Sequence, residues 1–67
     1  MNIFHAGDRV IRTAGHRIHS YATVVKMAGT HVYISFDDPA NPKEEMWCAS
    51  AWSIKPVDDT GFDYDMD

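Results

Sequence analysis

Five short runs of β-branched and aromatic residues, each closed off by turn-forming residues, constrain this chain more than any other feature. They are RVIRT (9–13), SYATVVKM (20–27), HVYISF (31–36), EMWCA (45–49) and SIKPV (53–57). Ala22 and Val24 alternate with Tyr21, Thr23 and Val25, and Val32, Ile34 and Phe36 alternate with Tyr33 and Ser35. Side chains on a strand point to opposite faces in turn, so a period of two describes half-buried strands. No stretch sustains the 3.6-residue apolar period of a helix. The expected fold class is all-β.

The punctuation supports this. Gly7-Asp8 precedes the first run, and TAGHRIH (13–19) is a loop in which Gly15 is free to adopt positive φ. AGT (28–30) is a tight hairpin connection, and DDPANPKE (37–44) carries two prolines that cannot sit in mid-sheet. Between the fourth and fifth runs, SAW (50–52) is too short for an α-helix and suits one 3-10 turn. Pro56 fits the edge position of a last strand. Five short strands joined this way predict a small barrel, closed or partly open, because closure removes exposed edges. The inward sets are Val10, Ala22, Val24, Val32, Ile34, Trp52 and Ile54, with Trp52 plugging one mouth of the barrel. Alternation sets Trp47 against Met46 and Cys48 and leaves either set free to face inward.

With 67 residues the chain is expected to form one domain over 1–57, followed by an acidic tail over 58–67. A domain of this size buries only about 60% of the surface its unfolded chain exposes, which leaves no apolar residues to spare for an interior active site. Cys48, the single cysteine, rules out an internal disulfide and makes a reducing, cytoplasmic location the default. The opening MNIFHAGDRV has no basic stretch and no long apolar run, and nothing reaches the ~20 apolar residues of a membrane span. A cytoplasmic protein that does not enter a membrane is expected. The net charge of −4 is unevenly spread. Arg9, Arg12, Arg17 and Lys26 face only Asp8 before residue 34, whereas Lys43 and Lys55 face nine acids after it.

GDRV (7–10), ATVV (22–25), VYISFDD (32–38) and the W-x-I-x-P of 52–56 together resemble the SH3-like small barrels, especially the Tudor and KOW group. The resemblance spans roughly residues 6–57 and implies a five-stranded barrel with a 3-10 turn before the last strand. Tudor domains enclose methylated lysine or arginine in aromatic faces. Carried over by motif, Tyr21, Phe36 and Asn41 occupy cage positions, while DDPA (37–40) stands where a loop aromatic would be. That implies at most a degenerate methyl-lysine or methyl-arginine reader. GDRVIRTAG (7–15) also resembles the type II dihydrofolate reductases, in which four barrels form a pore lined by a Val-Gln-Ile-Tyr motif. The corresponding EMWCAS (45–50) has neither that Gln nor that Tyr, so the resemblance implies assembly of several copies rather than reduction.

The residues themselves offer three kinds of site. Arg9, Arg12 and Arg17, with His16 and His19 nearby and Tyr21 and Tyr33 for stacking, form a candidate nucleic-acid face. The acidic balance of the whole chain opposes it. His16-x-x-His19 with His5, His31 and Cys48 lacks the fixed ligand spacing of a metal centre, so these read as surface histidines. No nucleophile triad, phosphate loop or carboxylate pair is present, and neither enzymatic activity nor a cofactor or metal is expected. In DDTGFDYDMD (58–67), Phe62, Tyr64 and Met66 alternate with acids, a pattern that in an extended chain puts the apolar groups on one side.

The leading expectation is therefore a non-enzymatic module acting by protein–protein contact. Its size and charge are those of phage- or mobile-element adaptors and inhibitors with an acidic surface. Its contact residues would be Tyr21, Tyr33, Asp37, Asp38, Trp47, Phe62 and Tyr64. The alternative is a nucleic-acid-binding barrel using Arg9, Arg12 and Arg17.

Overall fold

The structure, a computed structural model, describes residues 3–57. The tail, and with it the expected contacts of Phe62 and Tyr64, lies outside the described residues. Five antiparallel strands form one sheet: β1 (Arg9–Arg12), β2 (Tyr21–Ala28), β3 (His31–Phe36), β4 (Trp47–Ser50) and β5 (Ile54–Pro56). Their order across the sheet is β4-β3-β2-β1-β5. No helix among the described residues is long and apolar enough to cross a membrane.

Local sequence explains the connections. Gly29 at φ 64° opens a two-residue turn between Ala28 and His31, with Thr30 at negative φ, which is the type II′ geometry that continues the twist of the strands. A bulge at Val25 shifts the β2–β3 register between Val24 and Lys26 and bends the long strand over the core. Asn41 caps the first 3-10 turn, Pro42–Glu45, by accepting the Lys43 N–H, and Pro42 supplies the preset φ that starts such a turn. The turn takes in residues 42–44 of the expected loop and Glu45 of the expected fourth strand, which begins only at Trp47.

The core consists of Phe4, Val10, Ala22, Val24, Val32, Ile34, Phe36, Ala49 and Ile54, with Met27, Trp47 and Ala51 packed against it. Six of the seven expected core residues are there. The seventh, Trp52, is 76% exposed, and its placement in the barrel mouth is corrected. The expected 3-10 turn before the last strand exists, at Ala51–Ser53, and it explains the error. Such a turn rotates each residue by about 120°, so its three side chains cannot all point inward. Ala51 packs against the core and Ser53 is buried, where its Oγ accepts from Arg12 Nη1 at 2.8 Å and donates to the Ser50 carbonyl at 2.7 Å. Trp52 is turned to solvent.

Of the two expected forms, closed or partly open, the closed one is not found. The sheet is open, with β4 and β5 at its two edges. Only the Ala51–Ser53 turn separates them, and it carries the chain from Thr30 (Ala51 N–H to Thr30 O, 3.0 Å) to Thr13 (Thr13 N–H to Ser53 O, 2.8 Å). The two strands thus run end to end rather than side by side.

Candidate interaction surface

Register places the side chains. Trp47 lies opposite Ile34 and Ala49 opposite Val32, so both face the core side, while Cys48 lies opposite Tyr33 on the outer side. The open question about Trp47 is thereby answered: it is half-buried. His16 stacks on its indole with ring centroids 4.1 Å apart, and Phe36 meets it edge-on at 6.3 Å.

Beside that stack sits Glu44, a buried carboxylate that the sequence reading did not single out. It accepts from the Ala40 N–H at 2.9 Å, from His16 Nε2 at 2.6 Å and from Arg17 Nη1 at 2.8 Å. The Ala40 amide first, then His16 and Arg17, pull its pKa down to about 2 against the opposing effect of burial. Arg17 also donates to the Asp38 carbonyl and lies 5.0 Å from the centre of the Phe36 ring. The cluster ties the β1–β2 loop to the β3–β4 loop. It also uses the ring face that a methylated cation would need, so Tyr21 and Phe36 form no open cage. N-P-K-E (41–44), a capping residue followed by proline and an acid, marks the turn that carries Glu44 but not the partners that bury it.

The three arginines expected to meet nucleic acid are all engaged within the protein. Arg9 forms a two-pronged pair with Asp37 and also donates to Thr23 Oγ1. That bond raises the Arg9 pKa and lowers that of Asp37. Arg12 is only 4% exposed and donates to the His16 carbonyl and to Ser53 Oγ, and burial lowers its pKa. Among the described residues no carboxylate pairs with it. Arg17 serves Glu44, as above. Of the expected contact residues, Tyr21 is exposed, Asp38 is exposed, and Tyr33 is half-buried with Lys26 Nζ 5.2 Å from its ring centre. A concavity of about 590 Å³ at the β1–β5 end is lined by Gly7, Asp8, Arg9, Tyr21, Pro56 and Val57. Among the described residues no group of three or more His, Cys, Asp or Glu could hold a metal.

Five large apolar side chains among the described residues are exposed: Ile3, Ile18, Tyr21, Met46 and Trp52. Trp52 is 76% exposed and Met46 51%, one on each side of β4 in the chain. The described acids, Asp8, Asp37, Asp38, Glu44 and Glu45, number one fewer than the bases Arg9, Arg12, Arg17, Lys26, Lys43 and Lys55. The described residues therefore carry a formal +1, and the chain's excess of acid resides in the five aspartates of 58–67. Comparison with family models, curated proteins and solved structures finds no match for this chain.

Proposed function

We propose that this chain is a small, non-enzymatic module that works by protein–protein contact, with Trp52 as its anchor. The observation that supports the reading is the exposure of Trp52. A domain with so little core leaves its largest apolar side chain in water, on a short turn hydrogen-bonded to Thr30 and Thr13. Tryptophan on a firmly held backbone is the residue type that most often dominates contact energetics. The strand order and the 3-10 turn before β5 are compatible with an SH3-like barrel of the Tudor or KOW type, in its open form. An adaptor or inhibitor of the phage or mobile-element kind, acting in the cytoplasm, is the setting that size and composition favour. Asp37 and Glu44 are engaged internally, so an acidic recognition surface would have to come from Asp38, Glu45 and the residues after Val57.

The test is capture from a native host extract with the intact protein and with Trp52→Ala, read by mass spectrometry. A partner retained by the first and lost by an equally stable second supports the reading. Undiminished capture by Trp52→Ala refutes it.

A second reading, single-stranded nucleic acid, draws on the +1 balance of the described residues and the outer sheet face. Tyr33 and Lys26 stand there as neighbours across β2–β3, and Tyr21, Ile11 and Lys55 form a row across β2, β1 and β5. Stacking on tyrosines beside lysines is how sequence-tolerant binding works. Binding of an oligonucleotide that weakens steeply with salt and with Tyr33→Ala would favour it.

A further inference from the structure

The two edges of the sheet are not equivalent. In an antiparallel ladder, residues alternate between bonding a neighbour and pointing their N–H and C=O away from it. Thr13 bonds to Ser53, so by alternation Lys55 bonds to Ile11, and Ile54 and Pro56 direct their backbone outward. The outer rim of β5 thus lacks the Pro56 donor and carries the charged Lys55 side chain, two devices that block further pairing. On the other side, Ala51 bonds to Thr30, so Ala49 and Trp47 bond to β3 while Cys48 and Ser50 direct their backbone outward. β4 reads WCAS, with neither charge nor proline. This rim is open.

We infer that β4 pairs antiparallel with β4 of a second copy of this chain, about a two-fold axis at Cys48. The strand suits itself. At the axis each Cys48 N–H meets the other copy's Cys48 carbonyl, and no like charges are brought together. One step out, Ser50 stands opposite the second copy's Met46. The Ser50 carbonyl is already taken by Ser53 Oγ and the Met46 N–H by the Lys43 carbonyl. The groups left open in that pair, the Ser50 N–H and the Met46 carbonyl, are donor and acceptor. The same register sets the exposed Met46 of one copy one short turn from the exposed Trp52 of the other, so two of the exposed apolar side chains meet, and sulfur–aromatic contact is favourable. An isologous contact of this kind closes at two copies. The inference rests on Trp52 being a contact residue and names its partner.

The experiment measures mass by sedimentation against concentration for the full chain, together with amide exchange. The mass should rise to twice that of one chain, and the Cys48 and Ser50 amides should gain protection in step with it. Cys48→Lys, which sets two ammonium groups against each other at the axis, should be monomeric and folded. Cys48→Pro should behave likewise, since the lost N–H is not one that bonds β3; if it fails to fold, Cys48→Lys decides. Trp52→Ala should weaken the dimer at least about tenfold. A chain still monomeric at about 1 mM overturns the pairing, as does a dimer that survives Cys48→Lys. So does protection of Cys48 and Ser50 only by a different protein. Loss of the dimer with persistent Trp52-dependent capture defeats this inference alone; a dimer indifferent to Trp52→Ala, with capture equally indifferent, defeats the anchor reading and leaves the strand pairing.

Discussion

Glu44 and the two tryptophans are the residues whose surroundings decide most. A carboxylate whose folded pKa is about 2 against an ordinary 4.5 stabilises the native state fully above 4.5, and that contribution is lost as pH falls from 4.5 toward 2. Asp37, lowered by its bond to Arg9, adds in the same direction, although its exposure limits its worth. Acid denaturation monitored by circular dichroism should therefore steepen below pH 4.5, and Glu44→Gln should flatten that limb while lowering stability at neutral pH. The tryptophans should separate in denaturant titrations. Trp52→Ala, removing an exposed ring, should change stability by no more than about 0.5 kcal/mol. Trp47→Ala removes the ring stacked between His16 and the core, and should cost about 2–4 kcal/mol.

Among the elements, the β1–β2 loop is the one held by the most specific geometry. Gly15 sits at φ 85°, and a Cβ there would come within 2.8 Å of Arg12 Nη2. Arg17 and His19 also adopt positive φ, at 55° and 74°, conformations that cost non-glycine residues energy. Gly15→Ala should then destabilise by more than about 1 kcal/mol, by strain and by displacing Arg12 from the His16 carbonyl, as thermal unfolding would show. The strands were legible because their side chains alternate against one core: Val10, Ala22, Val24, Val32, Ile34 and Ile54 all follow from period two. Trp52 was misread because the 3-10 turn breaks that period at the residue in question. Phe4 and Glu44 escaped for another reason. Each is buried by a partner distant in sequence, Phe4 beside Met27 and Glu44 beneath His16 and Arg17, and no local pattern marks such contacts.

The molecule as a whole divides its charge at Val57. Removing residues 58–67 changes the formal charge from −4 to +1, and the core formed by the described residues lies wholly before the cut. The shortened chain should keep its strand signature, with its thermal midpoint shifted by only a few degrees, and should bind a cation exchanger that the full chain passes through. Ion-exchange chromatography and calorimetry check both; loss of the fold would show that the tail packs on the sheet. The strand order has a further consequence, in time rather than in space. β1 is made early, yet its Ile11 finds its partner Lys55 only after nearly all the other described residues have been synthesised. The β2–β3 hairpin, closed by two residues, can form at once, whereas β1–β5 pairing must wait and carries the largest loop-closure cost. During that interval β1 shows an open rim where β5 will lie, so a nascent chain meets its greatest risk of wrong pairing before Pro56 arrives to seal the edge.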